Sequence, residues 1–142
     1  MTLQLNLCYP RIRVEAKQVL VMKKFPTQRI GKYCAQASHA SLGALLSIGS
    51  VDEDTNSFVI PLADPFVKEW LVGRFKKVVL YVESDEELHQ IYSAAKLANL
   101  PAVLIQDSGL TEYKGVPTLT AVGIGPSNPP KIDEITGLLK LF

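Results

Sequence analysis

Residues 17–23 (KQVLVMK) form a short apolar run closed by charge at both ends, which predicts a buried strand. Upstream, Leu3, Leu5 and Leu7 alternate with polar residues, so residues 1–16 read as an extended arm or edge strand. Residues 25–30 contain Pro26 and read as a loop. From Gly31 to about Ser47 small residues (Cys34, Ala35, Ala37, Ala40, Gly43, Ala44) combine with Leu42, Leu45 and Leu46, predicting a helix that packs closely on a sheet. Residues 49–63 carry Asp52, Glu53, Asp54, Asn56 and Pro61 and read as an exposed acidic loop.

Asp64-Pro65 supplies a helix N-cap and a proline at the first helical position, opening a helix that stops at Gly73. Residues 77–82 (KVVLYV) predict a strand. Ser84 and Glu87 have capping-box spacing and open a helix that runs to about Ala98, ended by Asn99 and Pro101. Residues 102–106 and 118–124 predict two more strands, residues 132–136 one helical turn, and residues 138–142 an apolar tail. Strands that alternate with helices imply α/β architecture. We expect one domain, a three-layer α/β/α arrangement around a mixed, mostly parallel four-stranded sheet. Its boundaries are 1–16 for the N-terminal extension and 17–142 for the α/β domain. The stretch from Asp107 to Pro117 shows no helical pattern, so the last two strands are the place where the sheet turns mixed.

A chain of 142 residues, 47% hydrophobic and 20% charged, can bury a full core and is not a disordered segment. Two cysteines, Cys8 and Cys34, make no disulfide framework and no zinc-ligand spacing. No signal-peptide pattern and no apolar run of membrane-spanning length is present, so the expectation is a soluble, cytoplasmic protein. The formal net charge of +1 argues against a strongly basic nucleic-acid binder, but its distribution does not. Residues 1–50 hold seven Lys and Arg and one acid, Glu15, whereas residues 51–142 hold eight Lys and Arg and thirteen acids.

Ligands of open α/β sheets bind beyond the carboxyl ends of the strands, and two loops qualify. In the first, Lys32, Gln36, His39 and Gly43 fall at helical spacing on one stripe. Lys32 stands in the first helical turn, where a cation opposes the helix dipole. Either the stripe faces solvent, or an anion binds there and removes the conflict. His39 is a hydrogen-bonded core histidine or a base. Cys34 is packing or a thiolate near a helix start. In the second loop, Asp107 heads Asp107-Ser108-Gly109-Leu110-Thr111, either as an Asx-turn or as a carboxylate that orients or deprotonates water with help from Thr111 and Thr118. Lys23, Lys24, Arg29 and Lys32 cluster around the first loop as an ordinary charged surface or as contacts to a phosphate backbone.

The segment Gly31-Lys32-Tyr33-Cys34-Ala35-Gln36-Ala37-Ser38-His39-Ala40 resembles the G-K-x-A-A-Q-x-S-H-A signature of type-2 peptidyl-tRNA hydrolases. Residues 107–111 resemble that family's D-A-G-x-T, residues 123–126 its G-I-G-P, and residues 136–141 its T-G-x-L-K-L. The resemblance covers about residues 17–142. It implies a compact α/β domain, often dimeric, that hydrolyses the ester between a peptide and the 3′-terminal ribose of tRNA without a metal or organic cofactor. By motif position it assigns Lys32, Asp107 and Thr111 to the chemistry, with Gln36 and His39 at signature positions. Asp107 would orient or deprotonate the water, with His39 as a second candidate base. Lys32 would stabilise the oxyanion or hold the terminal phosphate, and Thr111 would position water or ribose.

Gln36, Lys23, Lys24, Arg29 and Thr118 would bind the substrate, the basic residues by contact with the tRNA. The chain departs from the family at Phe25, where an Asp is usual, and at Ile30, where a Lys is usual. These departures support a rival expectation, a non-catalytic RNA- or protein-binding module of the same fold.

Overall fold

A computed structural model describes residues 14–142. The expectation of an arm or edge strand from the leucines at 3, 5 and 7 lies outside the described residues. Eleven elements follow in chain order: β1 (Lys17–Lys23), α1 (Ile30–Leu46), β2 (Ser50–Asp52), β3 (Ser57–Val59), α2 (Pro65–Val72), β4 (Lys77–Val82), α3 (Asp85–Leu97), β5 (Ala102–Asp107), β6 (Thr118–Ser127), α4 (Pro129–Thr136) and β7 (Lys140–Leu141).

The main sheet has five strands, not four, in the order β5-β6-β1-β4-β7. The fifth is β7, two residues of the apolar tail that pair with Leu80 and Tyr81, too short to carry a strand pattern. Nor is the sheet mostly parallel. Only β1 and β4 pair in parallel, while β1–β6, β5–β6 and β4–β7 are antiparallel. No helix separates β5 from β6, so the chain folds straight back. An antiparallel β6 then sits between β5 and β1, which puts the carboxyl ends of β1 and β5 on the same edge of the sheet.

The expected acidic loop contains a hairpin instead, β2 paired with β3 as a separate two-stranded sheet. Asp52 accepts backbone hydrogen bonds from Asp54 (3.0 Å) and Thr55, and Asn56 takes a left-handed conformation, so the acidic residues make the turn. Val51, Phe58 and Val59 stay exposed, so no one-sided apolar pattern marks these strands. The helix signals behave as their chemistry dictates. Asp64 accepts from the Phe66 N–H at 2.8 Å, and Ser84 accepts from the Glu87 N–H at 3.2 Å. The Glu87 carboxylate accepts from the Ser84 hydroxyl at 2.9 Å rather than from the Ser84 backbone N–H, a variant of the capping box. The expected single turn near Ile132 is an eight-residue helix, α4, whose start is made by Pro129 and Pro130.

β1 divides the core by its period of two. Val19 and Val21 join a cluster with Leu88 and Ile91 of α3 and Ile132 of α4, whereas Leu20 and Met22 join Ala40 of α1 and Ala121 of β6. On the α1 side two glycines set the spacing. A Cβ on Gly123 of β6 would lie 2.2 Å from the Ala40 carbonyl oxygen, and one on Gly43 would lie 3.1 Å from Val103 of β5. The helix therefore rests directly on β5 and β6, which brings its first turns over the end of β5.

Candidate active site

Asp107 is the last residue of β5, and both of its carboxylate oxygens are engaged. Oδ1 accepts the Gly109 N–H at 2.8 Å, an Asx-turn. Oδ2 accepts from Lys32 Nζ at 2.8 Å and from Gln36 Nε2 at 2.9 Å. Local turn and site chemistry thus coincide in one side chain. Gly109 has φ +80, and a Cβ there would meet the Val116 carbonyl at 2.2 Å, so the turn requires glycine.

Lys32 Nζ also donates to Thr111 Oγ1 at 3.0 Å, and its side chain is only 11% exposed. Gln36 is fully buried, and its Oε1 accepts from the buried hydroxyl of Thr120 at 2.6 Å. The chain Thr120–Gln36–Asp107–Lys32–Thr111 is continuous. The Lys32 bond, backed by the Gly109 N–H, holds the Asp107 carboxyl below the usual carboxylate range, against the opposing pull of burial. The first turn of α1 contains no acid, and its N-cap, Arg29, makes no side-chain cap bond. The anion that reconciles Lys32 with the helix dipole is therefore, in this structure, the protein's own Asp107.

The helical stripe faces β5 and β6 rather than solvent at Lys32, Gln36 and Gly43. His39 does not follow: it is exposed, and among the described residues no hydrogen bond joins it to the cluster. Thr118 lies opposite Asp107 in the β5–β6 register, yet its hydroxyl donates to the Val116 carbonyl at 2.8 Å. Thr120, two residues on and on the same face, is the hydroxyl that reaches Gln36. Sequence reasoning missed it, although the i+2 spacing from Thr118 carried the signal. Tyr113 was missed too: its ring lies 5.2 Å from Lys32 Nζ. Cys34 is exposed.

The basic residues divide. Lys23 is ion-paired with Asp85 and lies over the Phe25 ring at 4.7 Å. Lys24 sits over Tyr81 at 4.6 Å. The Arg29 side chain is 90% exposed, and among the described residues it has only a long 3.8 Å contact to Glu112. Among the described residues no three His, Cys, Asp or Glu side chains converge to hold a metal, and no helix is long and apolar enough to cross a membrane.

A lysine–carboxylate–hydroxyl cluster at the strand ends of an α/β sheet, with basic residues outside it, defines a class of site suited to work on a carbonyl next to an anionic group. Comparison with known proteins makes the class specific. The family model described as peptidyl-tRNA hydrolase PTH2 matches residues 16–142, and the chain belongs to this family. Similar proteins include the peptidyl-tRNA hydrolase of Methanocaldococcus jannaschii, 41% identical over 126 residues, 89% of this chain and 99% of the relative. That of Methanopyrus kandleri is 39% identical over 126 residues, 89% of this chain and 97% of the relative. That of Methanothermobacter thermautotrophicus is 38% identical, again covering 89% of this chain and 99% of the relative.

Proposed function

We propose that the chain hydrolyses the ester that joins a peptide to the 3′-terminal ribose of tRNA, releasing peptide and reusable tRNA. The observation that carries this reading is Lys32, held 2.8 Å from Asp107 and 3.0 Å from Thr111 at the strand ends. Ester hydrolysis needs a placed water and a partner for the oxyanion of the tetrahedral intermediate. Asp107, kept ionised, accepts a hydrogen bond from the attacking water and orients it. Lys32 meets the charge that develops on the carbonyl oxygen. The Thr111 hydroxyl, exposed beside them, positions the water or the ribose. Gln36 and Thr120 fix the carboxylate from the buried side. His39 is left without a role in this scheme, because it does not join the network.

Lys24 and Arg29 meet the phosphates of the acceptor end without reading sequence, and Lys23 takes part to the extent that Asp85 releases it. Residues 17–142 form the working domain, a three-layer α/β/α unit, and residues 1–16 an extension to it. On the same reading the chain works in the cytoplasm and, as a member of a family that is often dimeric, pairs with a second copy of itself.

The test is hydrolysis of an N-acetylated aminoacyl-tRNA beside its unblocked counterpart. Cleavage of the blocked form alone supports the proposal. Cleavage of neither overturns it and favours a binding module of the same fold. Insensitivity of the rate to added salt would also count against it, since a polyanionic substrate loses affinity as salt rises.

A further inference from the structure

We propose that Tyr113 is a positioning residue for Lys32, a ring against which the ammonium is set toward the reacting carbonyl; this rests on the ester-hydrolase reading above. Three contacts converge on this side chain. Its ring lies 5.2 Å from Lys32 Nζ, within cation–π range. Its other neighbour is the Phe25 ring, at 5.2 Å between centroids and 29° between planes. Its hydroxyl donates to Gln28 Oε1. Phe25 and Gln28 lie between β1 and α1, whereas Tyr113 lies between β5 and β6. One side chain therefore ties together the two loops that flank the cluster.

Phe25 is itself fixed, because its backbone N–H donates to the Tyr33 hydroxyl of α1 at 2.9 Å. The Tyr113 ring is thus held from behind and has little freedom to swing from under the ammonium. A neutral ring is what this task needs, since a phenolate would compete with Asp107 for the lysine. Burial, with Asp107 and Glu112 close by, pushes the Tyr113 hydroxyl up to about 12, so it stays neutral at working pH. Carboxylate and hydroxyl fix Lys32 on two sides, and the ring limits it on a third.

The experiment compares Tyr113→Leu and Tyr113→Phe on N-acetylated aminoacyl-tRNA, with kcat and KM read separately and folding followed by thermal melting. Tyr113→Leu lowers kcat about tenfold with KM within about twofold, the scale of a partly desolvated cation–π contact. Tyr113→Phe keeps the ring and restores kcat to within about twofold of the parent. The proposal is overturned if Tyr113→Leu keeps full kcat, if its loss lies in KM alone, or if Tyr113→Phe falls as far. A second readout separates this from the substrate reading. The Lys32 methylene protons carry a ring-current shift by NMR, lost in Tyr113→Leu and kept in Tyr113→Phe, whichever ester the protein cleaves. Absence of that shift in the parent protein overturns the proposal directly.

Discussion

Two sets of cations stand within one turn of each other and behave differently. Lys32 lies inside the network, with two oxygen partners at hydrogen-bond distance and little exposure. Arg29, three residues earlier, has its side chain almost wholly in water and only a 3.8 Å contact. The first is suited to chemistry, because a group already in place loses no orientation entropy when charge develops next to it. The second is suited to holding a flexible polyanion, where a mobile charge adapts and screened contacts add weakly. What separates them is backing from the core: Lys32 reaches Thr120 of β6 through Asp107 and Gln36, and among the described residues Arg29 reaches nothing buried.

The comparison breaks first at its inner end. Asp107→Asn and Lys32→Ala are each expected to lower kcat by about a hundredfold or more, in variants that still melt cooperatively as folded proteins. A variant within about threefold of the parent would show that the cluster holds structure rather than the reaction. Gln36→Leu comes next. It removes a donor to Asp107 and strands the Thr120 hydroxyl, a stability loss of about 1–3 kcal/mol readable by denaturant unfolding.

The same variant sharpens the acid side. The Asp107 carboxyl lies below its unfolded value, so its stabilising contribution is complete above about pH 4 and is lost as pH falls through the lower folded value. The acid limb of kcat/KM should therefore fall below the ordinary carboxylate range in the parent and move upward in Gln36→Leu. A limb that does not move would separate Gln36 from the titration of Asp107.

Outer-end effects are smaller. Arg29→Ala is expected to raise KM about two- to threefold, leave kcat alone, and flatten the salt dependence by about one unit of log–log slope. Smallest is Asp85→Asn, which releases Lys23 from its ion pair. It should lower KM by twofold or less and steepen the salt dependence, seen in KM measured across a salt series. A rise in KM would mean that Lys23 is useful only where Asp85 holds it.

These two regions were also unequally legible in the sequence. Lys32, Gln36 and Gly43 were found because helical spacing is a strong constraint, and Asp107 because a carboxylate at a strand end is conspicuous. His39 shared the spacing and not the environment, since a stripe wide enough for four residues has an edge that remains in water. Thr120 was hidden because it looks like an ordinary strand residue until its partner is known. The place of β6 between β5 and β1 was not legible, because a helix-free connection of eleven residues, 107–117, limits reach and does not choose the neighbouring strand. The β2–β3 hairpin was unreadable for a related reason: with both faces exposed, no burial pattern exists to be read.

Gly123 lies far along the sequence from the reacting groups, yet it works as a spacer. Its missing Cβ lets the Ala40 carbonyl rest against β6, and that distance sets how far the start of α1 stands from the end of β5. A methyl group added there would touch no substrate. It would lift one end of a rigid rod, and the displacement would be felt at the far end, where a lysine and a carboxylate must meet within a few tenths of an ångström. Catalytic tolerance in this protein is in that sense a machining tolerance, cut into the seat of the helix rather than into the residues that perform the reaction.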